Sequence, residues 1–128
     1  MPSRFDHIDL RVRNLDEARC FYEALLPALG FDRDMKIEGW IQYERSTPDG
    51  SEFFGVTESS PHVANASRIA FRAGSRAEVD QLAALVRSAG GRNIEGPGFE
   101  APGYYAVFFE DPSGNRFEIC HRSRLRPV

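Results

Sequence analysis

Polar and apolar residues alternate from Phe5 to Val12, and this two-residue period predicts a half-buried β-strand. One side of the strand should pack against the core, while the other carries three polar residues: His7, Asp9 and Arg11. From Leu15 to Leu29 the apolar residues recur instead at helical spacing. Asn14 precedes this segment as an N-cap, and Glu17 completes a capping box. The chain therefore opens with a strand followed by a helix.

The same pattern returns with residue numbers 61 higher, so that the segment 7–12 corresponds to 68–73. The capping box Ser75-Arg76-Ala77-Glu78 and a second apolar helical stripe follow it. A further correspondence, 64 residues apart, joins Pro48–Phe54 to Pro112–Glu118. A whole supersecondary unit is therefore present twice.

Short strands are expected at 32–37, 39–45 and 51–57 in the first unit and at 67–72, 104–110 and 116–121 in the second. Residues 95–103 are so rich in Gly and Pro that we expect an irregular loop there, and we expect residues 122–128 to be a frayed basic tail. These elements predict an α+β fold. It consists of one domain with two tandem βαβββ modules, 5–57 and 67–121, joined by the polar linker 58–66 and packed around a shared cleft.

The bulk properties narrow the classes of function. At 128 residues the chain has the size of one domain, and its net charge of −3 offers no basic surface for nucleic acid. Its two cysteines, Cys20 and Cys120, cannot form a disulfide framework or a zinc ribbon. No apolar stretch has the length of a signal peptide or a membrane span. We therefore expect a cytoplasmic protein with no membrane partner.

The βαβββ duplication, the opening strand Asp6-His7-Ile8, the pair Phe21-Tyr22 and the closing segment Asp111–Glu118 together resemble the vicinal oxygen chelate superfamily. This group includes glyoxalase I, bleomycin-resistance proteins, fosfomycin-resistance enzymes, epimerases and extradiol dioxygenases. The resemblance covers about residues 4–121. It implies curled mixed sheets around a cleft and the formation of a homodimer. It does not identify the substrate, because proteins of one fold carry out many different reactions.

The resemblance also implies a divalent metal held by side chains from the first and last strands of each unit. His7 and Glu118 match two of the ligand positions. The other two hold Arg68 and Phe54, or Gly55 if the register slips by one residue, and none of these can ligate a metal. Catalytic zinc sites use three protein ligands. We therefore predict that the metal site is degenerate or absent.

The class of extradiol dioxygenases is disfavoured. These enzymes carry a Tyr ten residues before the last glutamate, and that position holds Phe108 here.

Glu118 lies in an otherwise apolar strand and needs a partner if it is buried, and Arg68 is the expected partner. Arg68 would also supply a fixed positive charge for an anionic group, with His7 as a proton donor or acceptor. The alternative is that these residues form a satisfied polar network with no catalytic role.

Five further residues are predicted to bind the ligand: Asp9, Arg11, Phe54, Tyr104 and Phe108. Asp9 and Arg11 either extend the pocket wall or pair with each other. Tyr104 is in phase with Phe108 on the same predicted strand, and both should face the pocket, whereas Tyr105 should point the other way.

The resulting functional prediction is a protein of this superfamily that acts on a small oxygenated or anionic molecule, as a lyase or an isomerase. The alternative is a non-catalytic protein that binds a drug or metabolite, and a third possibility is a structural or regulatory dimer. His7 and Glu118 as catalytic residues favour the enzyme. Arg68 and Phe54 in place of metal ligands favour the binding protein.

Overall fold

The structure is a computed structural model that describes residues 4–123, and in it the chain divides into two compact units between Val63 and Ala64. The first unit contains five elements: β1 (His7–Val12), α1 (Leu15–Ala28), β2 (Arg33–Asp34), β3 (Trp40–Thr47) and β4 (Gly50–Glu58). Its sheet has the order β1-β4-β3-β2, with β1 parallel to β4 and the other neighbours antiparallel.

Two side chains fix the start of α1. The Asn14 carboxamide oxygen accepts a hydrogen bond from the backbone N–H of Glu17 at 2.9 Å, and Glu58 Oε1 accepts one from the backbone N–H of Leu15 at 2.8 Å. Both satisfy N–H groups that the first helical turn leaves without a partner. Because Glu58 ends β4, the second bond ties the helix to the strand at the far end of the unit.

The second unit repeats this architecture with five elements: β5 (Arg68–Arg72), α2 (Arg76–Ser88), β6 (Arg92–Ala101), β7 (Tyr104–Glu110) and β8 (Arg116–Arg122). Its sheet has the order β5-β8-β7-β6, with β5 parallel to β8. Residues 4–123 thus form an α+β fold with two helices and two four-stranded mixed sheets, and the prediction of two βαβββ units is confirmed.

The prediction of an irregular loop at 95–103 is wrong, because β6 continues to Ala101. This strand lies at the edge of its sheet and pairs with β7 through several register shifts. An edge strand tolerates Pro97, since one side of its backbone needs no partner, and glycines accommodate the shifts. At the end of the chain, Arg122 belongs to β8 rather than to a tail, and residues 124–128 lie outside the described residues.

The register between the parallel strands corrects the second repeat correspondence. Glu118 lies opposite Ala70 in the second unit, and the equivalent pair in the first unit is Gly55 opposite Asp9. The structural counterpart of Glu118 is therefore Gly55 rather than Phe54. A Cβ atom on Gly55 would contact the Trp40 ring at 3.7 Å, so an aromatic side chain covers this position.

Phe54 belongs to the core, and its prediction as a ligand-binding residue is wrong. Its side chain is 0% exposed, and its ring centroid lies 6.2 Å from that of Tyr22 and 6.3 Å from that of Phe31. Successive side chains of a strand point to opposite faces, so Phe54 packs on the helix side while Phe53 points the other way.

We expect Phe54→Ala to lower the free energy of unfolding by about 3–5 kcal/mol, because it leaves a cavity in a closed core. Phe53→Ala is the matched control and should cost about 1 kcal/mol, since that ring is only partly buried. Urea denaturation measures both values. Equal losses in the two variants would contradict the assignment of the two faces.

Candidate functional site

The second sheet has one face that carries most of the predicted site residues. Tyr105 Oη donates a hydrogen bond to Asp80 Oδ1 of α2 at 2.6 Å, so Tyr105 lies on the helix side and Tyr104 on the opposite side, as predicted. We call this opposite side the open face. The strand registers assign these residues to it: Arg68, Ala70, Arg72, Tyr104, Ala106, Phe108, Glu110, Arg116, Glu118, Cys120 and Arg122.

Glu118 is buried near the middle of the open face, with only 7% of its surface exposed. Its carboxylate accepts a short hydrogen bond from Tyr104 Oη. The expected ion pair between Arg68 and Glu118 is not formed; the guanidinium of Arg68 lies over the Phe108 ring instead, 4.8 Å from its centroid. Arg68 is paired in register with Arg116, two residues before Glu118, which places it away from the carboxylate.

Tyr104 is held in its protonated form. Burial, the hydrogen bond to Glu118 and the negative charge of that carboxylate together raise the pKa of Tyr104 to about 12, against a partial opposing effect of Arg122. The Arg122 guanidinium lies 3.9 Å from the centroid of the tyrosine ring. At neutral pH Tyr104 is therefore a hydrogen-bond donor, and Glu118 is its acceptor.

Cys120 is the neighbour of Glu118 on the same face and is also buried. Burial raises the pKa of its thiol, and the negative charge of Glu118 raises it further, in excess of the opposing effects of two nearby arginines. Only a thiolate is an effective nucleophile, so Cys120 is a neutral, inert thiol at neutral pH.

A cavity of about 390 Å³ opens at one end of this face. Two predicted ligand-binding residues, Arg68 and Phe108, line it. The remaining lining residues were not predicted as site residues: Asn93, Ile94, Glu95, Phe109, Glu110 and Arg116. Arg116 alternates in phase with Glu118, which was a usable sequence signal. Asn93, Ile94 and Glu95 belong to β6, part of which was predicted to be a loop.

The remaining predicted site residues lie in the first unit. The imidazole ring of His7 stacks on Phe53, with 4.5 Å between ring centroids, and its Nδ1 lies 2.8 Å from Asp6 Oδ2. Arg11 Nη1 lies 2.5 Å from Asp9 Oδ1, so these two residues pair with each other. Of the two alternatives for Asp9 and Arg11, the structure favours mutual pairing.

The chemistry of the donor set does not fit a tightly held metal. Within residues 4–123 there is no group of three or more His, Cys, Asp or Glu side chains that could hold a metal ion. One carboxylate oxygen of Glu118 already accepts a hydrogen bond from Tyr104 Oη. Gly55, the counterpart of Glu118 in the first unit, has no side-chain atom that could bind a metal. Arg68 is a cation and cannot act as a ligand. His7 and Glu118 thus remain an incomplete candidate set.

Comparison with known proteins gives a consistent result. A family model described as the Glyoxalase/Bleomycin resistance protein/Dioxygenase superfamily matches residues 4–119. An uncharacterized protein of Bacillus subtilis, YqjT, is 28% identical over 121 residues, which span 88% of this chain and 94% of that relative.

Solved structures share the fold. A glyoxalase/bleomycin resistance protein from Albidiferax ferrireducens matches with a TM-score of 0.75 and 29% identity, over 94% of this chain and all of that one. The fosfomycin resistance protein FosX of Mesorhizobium loti matches with a TM-score of 0.68 and 18% identity, over 97% of this chain and 96% of that one. At that identity the second likeness concerns the fold alone.

Neither helix among the described residues has the length and apolar character to cross a membrane.

We expect the pKa of Tyr104, followed by the NMR signal of its Cζ, to lie near 12 and to fall toward the ordinary value of 10.0 in Glu118→Gln. Between about pH 10 and pH 12, Tyr104 keeps its proton in the folded protein, whereas the same residue of the unfolded chain loses it. Its stabilising contribution is therefore present below about pH 10 and is lost as the pH rises to about 12. Asp80→Asn, which alters the partner of Tyr105, is the control and should leave Tyr104 unchanged. An unshifted Tyr104 in Glu118→Gln would refute the assigned hydrogen bond.

We expect purified, tag-free protein to contain well under one equivalent of metal by mass spectrometry, because the donor set is incomplete. Titration with nickel, zinc, manganese and iron(II) should likewise give no stoichiometric binding. A stoichiometric metal that is lost in Glu118→Gln would contradict this expectation.

Proposed function

The chain belongs to the Glyoxalase/Bleomycin resistance protein/Dioxygenase superfamily, and from this membership we propose that it acts on a small oxygenated or anionic molecule at the open face of its second sheet. The reaction is of the lyase or isomerase type and proceeds without a complete set of metal ligands. Glu118, Tyr104 and Arg68 are its principal residues.

The pair of Glu118 and Tyr104 carries this proposal. A carboxylate with 7% exposure costs stability unless it is compensated, and here its partner is a neutral phenol rather than a cation. The carboxylate can accept a proton, and the phenol, which stays protonated, can donate a hydrogen bond.

These groups suit proton transfer next to a carbonyl group. Glu118 takes the proton from the carbon beside the carbonyl, and the bonding electrons move to the carbonyl oxygen, which becomes negative. The proton then returns to the same carbon from the opposite side as the electrons move back, so that the net result is an isomerisation by inversion at that carbon. In the free protein Tyr104 donates its single O–H to Glu118. Once Glu118 is protonated, this O–H turns to the transient oxyanion, which the fixed charge of Arg68 also stabilises.

His7 remains a proposed catalytic residue of the first unit. Its Nδ1 is occupied by Asp6, an arrangement that fixes the ring and leaves Nε2 as the reactive nitrogen.

Family membership also supports two general expectations, that the protein forms a homodimer and that it is cytoplasmic. Light scattering coupled to gel filtration and cell fractionation test these two expectations separately.

Non-catalytic binding of a small molecule is the second candidate function. The observation that favours it is the stacking of Arg68 on Phe108, which presents a charged and an aromatic surface side by side to the cavity. Under this function the protein would retain a drug or metabolite unchanged.

Exchange of hydrogen for deuterium separates the two functions. Small 2-oxo and 2-hydroxy acids that raise the Tm of the protein are incubated with it in D₂O. Proton NMR then follows exchange at the carbon beside the carbonyl group, which is C3 of a 2-oxo acid and C2 of a 2-hydroxy acid. We expect wild-type protein to catalyse exchange and Glu118→Gln to lower the rate by about 10²–10⁴-fold. Tyr104→Phe should lower it less, and Tyr105→Phe, on the helix side, should not change it.

Two outcomes would contradict the catalytic proposal. Exchange at an unchanged rate in Glu118→Gln would remove this residue from the chemistry. A compound that binds to wild-type protein with no exchange at all would favour the non-catalytic binding protein.

A further inference from the structure

We infer that Arg68 and Arg116 form an anion subsite that binds the carboxylate group of a small molecule in the cavity of the second unit. The inference rests on the proposed function, because it names the group by which the ligand would be held on the open face. Arg116 supplies half of the subsite.

The two arginines are direct partners in the parallel pairing of β5 with β8. Side chains of such a pair project from the same face of the sheet, and like charges placed directly opposite each other are destabilising. Neither guanidinium has a carboxylate within ion-pair distance among residues 4–123. A bound anion would offset this repulsion and supply the missing partner.

Phe108 prepares Arg68 for this role. The guanidinium lies over the aromatic ring at 4.8 Å, an arrangement that fixes the plane of the cation while its N–H groups at the rim stay available. A planar guanidinium matches the two oxygens of a carboxylate through paired hydrogen bonds. Two adjacent guanidinium groups can therefore hold one carboxylate firmly.

Two carboxylates on the cavity wall restrict the rest of the ligand. Glu110 lies opposite Arg116 in register, but its Oε1 accepts a hydrogen bond from Asn93 Nδ2 at 3.0 Å. Glu95 lies opposite Phe108 and also lines the cavity. These carboxylates would repel a second negative group and would accept a hydrogen bond from a hydroxyl or ammonium group. The chemical class is therefore a hydroxy- or amino-carboxylate with one net negative group at the arginine end.

The size of the cavity agrees with such a ligand. A volume of about 390 Å³ lies at the small end of the range of about 300–1,000 Å³ for small-molecule sites. It accommodates a compound of a few carbon atoms with its water.

The test uses lactate as the hydroxy-carboxylate probe, with acetate and inorganic phosphate as comparison anions. Lactate is titrated into full-length ¹⁵N-labelled protein, and the Nε–Hε signals of the arginines are followed by NMR. We expect lactate to bind more tightly than acetate or phosphate, and Arg68→Gln and Arg116→Gln each to weaken it by about tenfold or more. Arg76→Gln is the matched control, because Arg76 also lies over an aromatic ring, 5.4 Å from the centroid of Phe99, and should change the affinity by less than about twofold.

A second readout is the stability gained on binding. Lactate should raise the Tm of wild-type protein and of Arg76→Gln, and it should raise the Tm of Arg116→Gln much less, because that variant lacks half of the subsite. Arg116→Lys keeps the charge but loses the planar fork. It should bind lactate with intermediate affinity. An equal rise of Tm in wild type and Arg116→Gln together with unchanged lactate affinity would overturn the inference.

The outcomes separate this inference from the proposed function. If the arginine variants bind lactate as wild type does while Glu118→Gln still abolishes deuterium exchange, the subsite is refuted and the catalytic proposal stands. If the arginine variants lose lactate while wild-type protein exchanges no compound, the subsite stands and the catalytic proposal fails. Equal weakening by all three arginine substitutions, including Arg76→Gln, would show a general charge effect and overturn the subsite.

Discussion

The parallel pairing of the first and last strands in each unit is the constraint on which the rest of the structure depends. Parallel neighbours cannot be joined by a tight turn, so the helix and two further strands must lie between them in the chain. This pairing places β1 against β4 and β5 against β8, and it brings residues from opposite ends of each unit onto one face. Glu118 owes its position opposite Ala70 to this register, and so does Arg116 opposite Arg68.

Much of the fold could be predicted, because the apolar residues of both units show the spacing of strands and helices. Less of the candidate site could be predicted. The alternation in β7 correctly separated Tyr104 from Tyr105, since this depends only on the geometry of a strand. The partner of Glu118 could not be predicted, because it depends on the pairing of β7 with β8. The parallel registers of β1 with β4 and of β5 with β8 made Gly55, and not Phe54, the counterpart of Glu118. In β6 the Gly and Pro content concealed a strand, since an edge position removes the usual cost of proline.

The choice of a tyrosine as the partner of Glu118 has an electrostatic consequence for the whole face. An arginine partner would neutralise the carboxylate and would itself be used up in an ion pair. A neutral phenol satisfies the carboxylate through one hydrogen bond and leaves its negative charge in place. Arg68 is then available at the cavity, where its neighbour is the Phe108 ring. The open face therefore keeps negative charge at its centre, with Arg68 and Arg116 at one end and Arg122 at the other.

The two units differ in charge at the position that their parallel strands share. Glu118 lies opposite Ala70 in the second unit, whereas Gly55 lies opposite Asp9 in the first. A Cβ atom on Gly55 would meet Phe53 and Trp40 at ordinary contact distances of 3.6 and 3.7 Å, so space alone does not exclude a side chain there. A glutamate at this position would, however, face the carboxylate of Asp9, and like charges directly opposite each other are destabilising. The backbone is therefore nearly symmetric between the two units while its charge is not, and an acidic side chain occupies this paired position in the second unit alone.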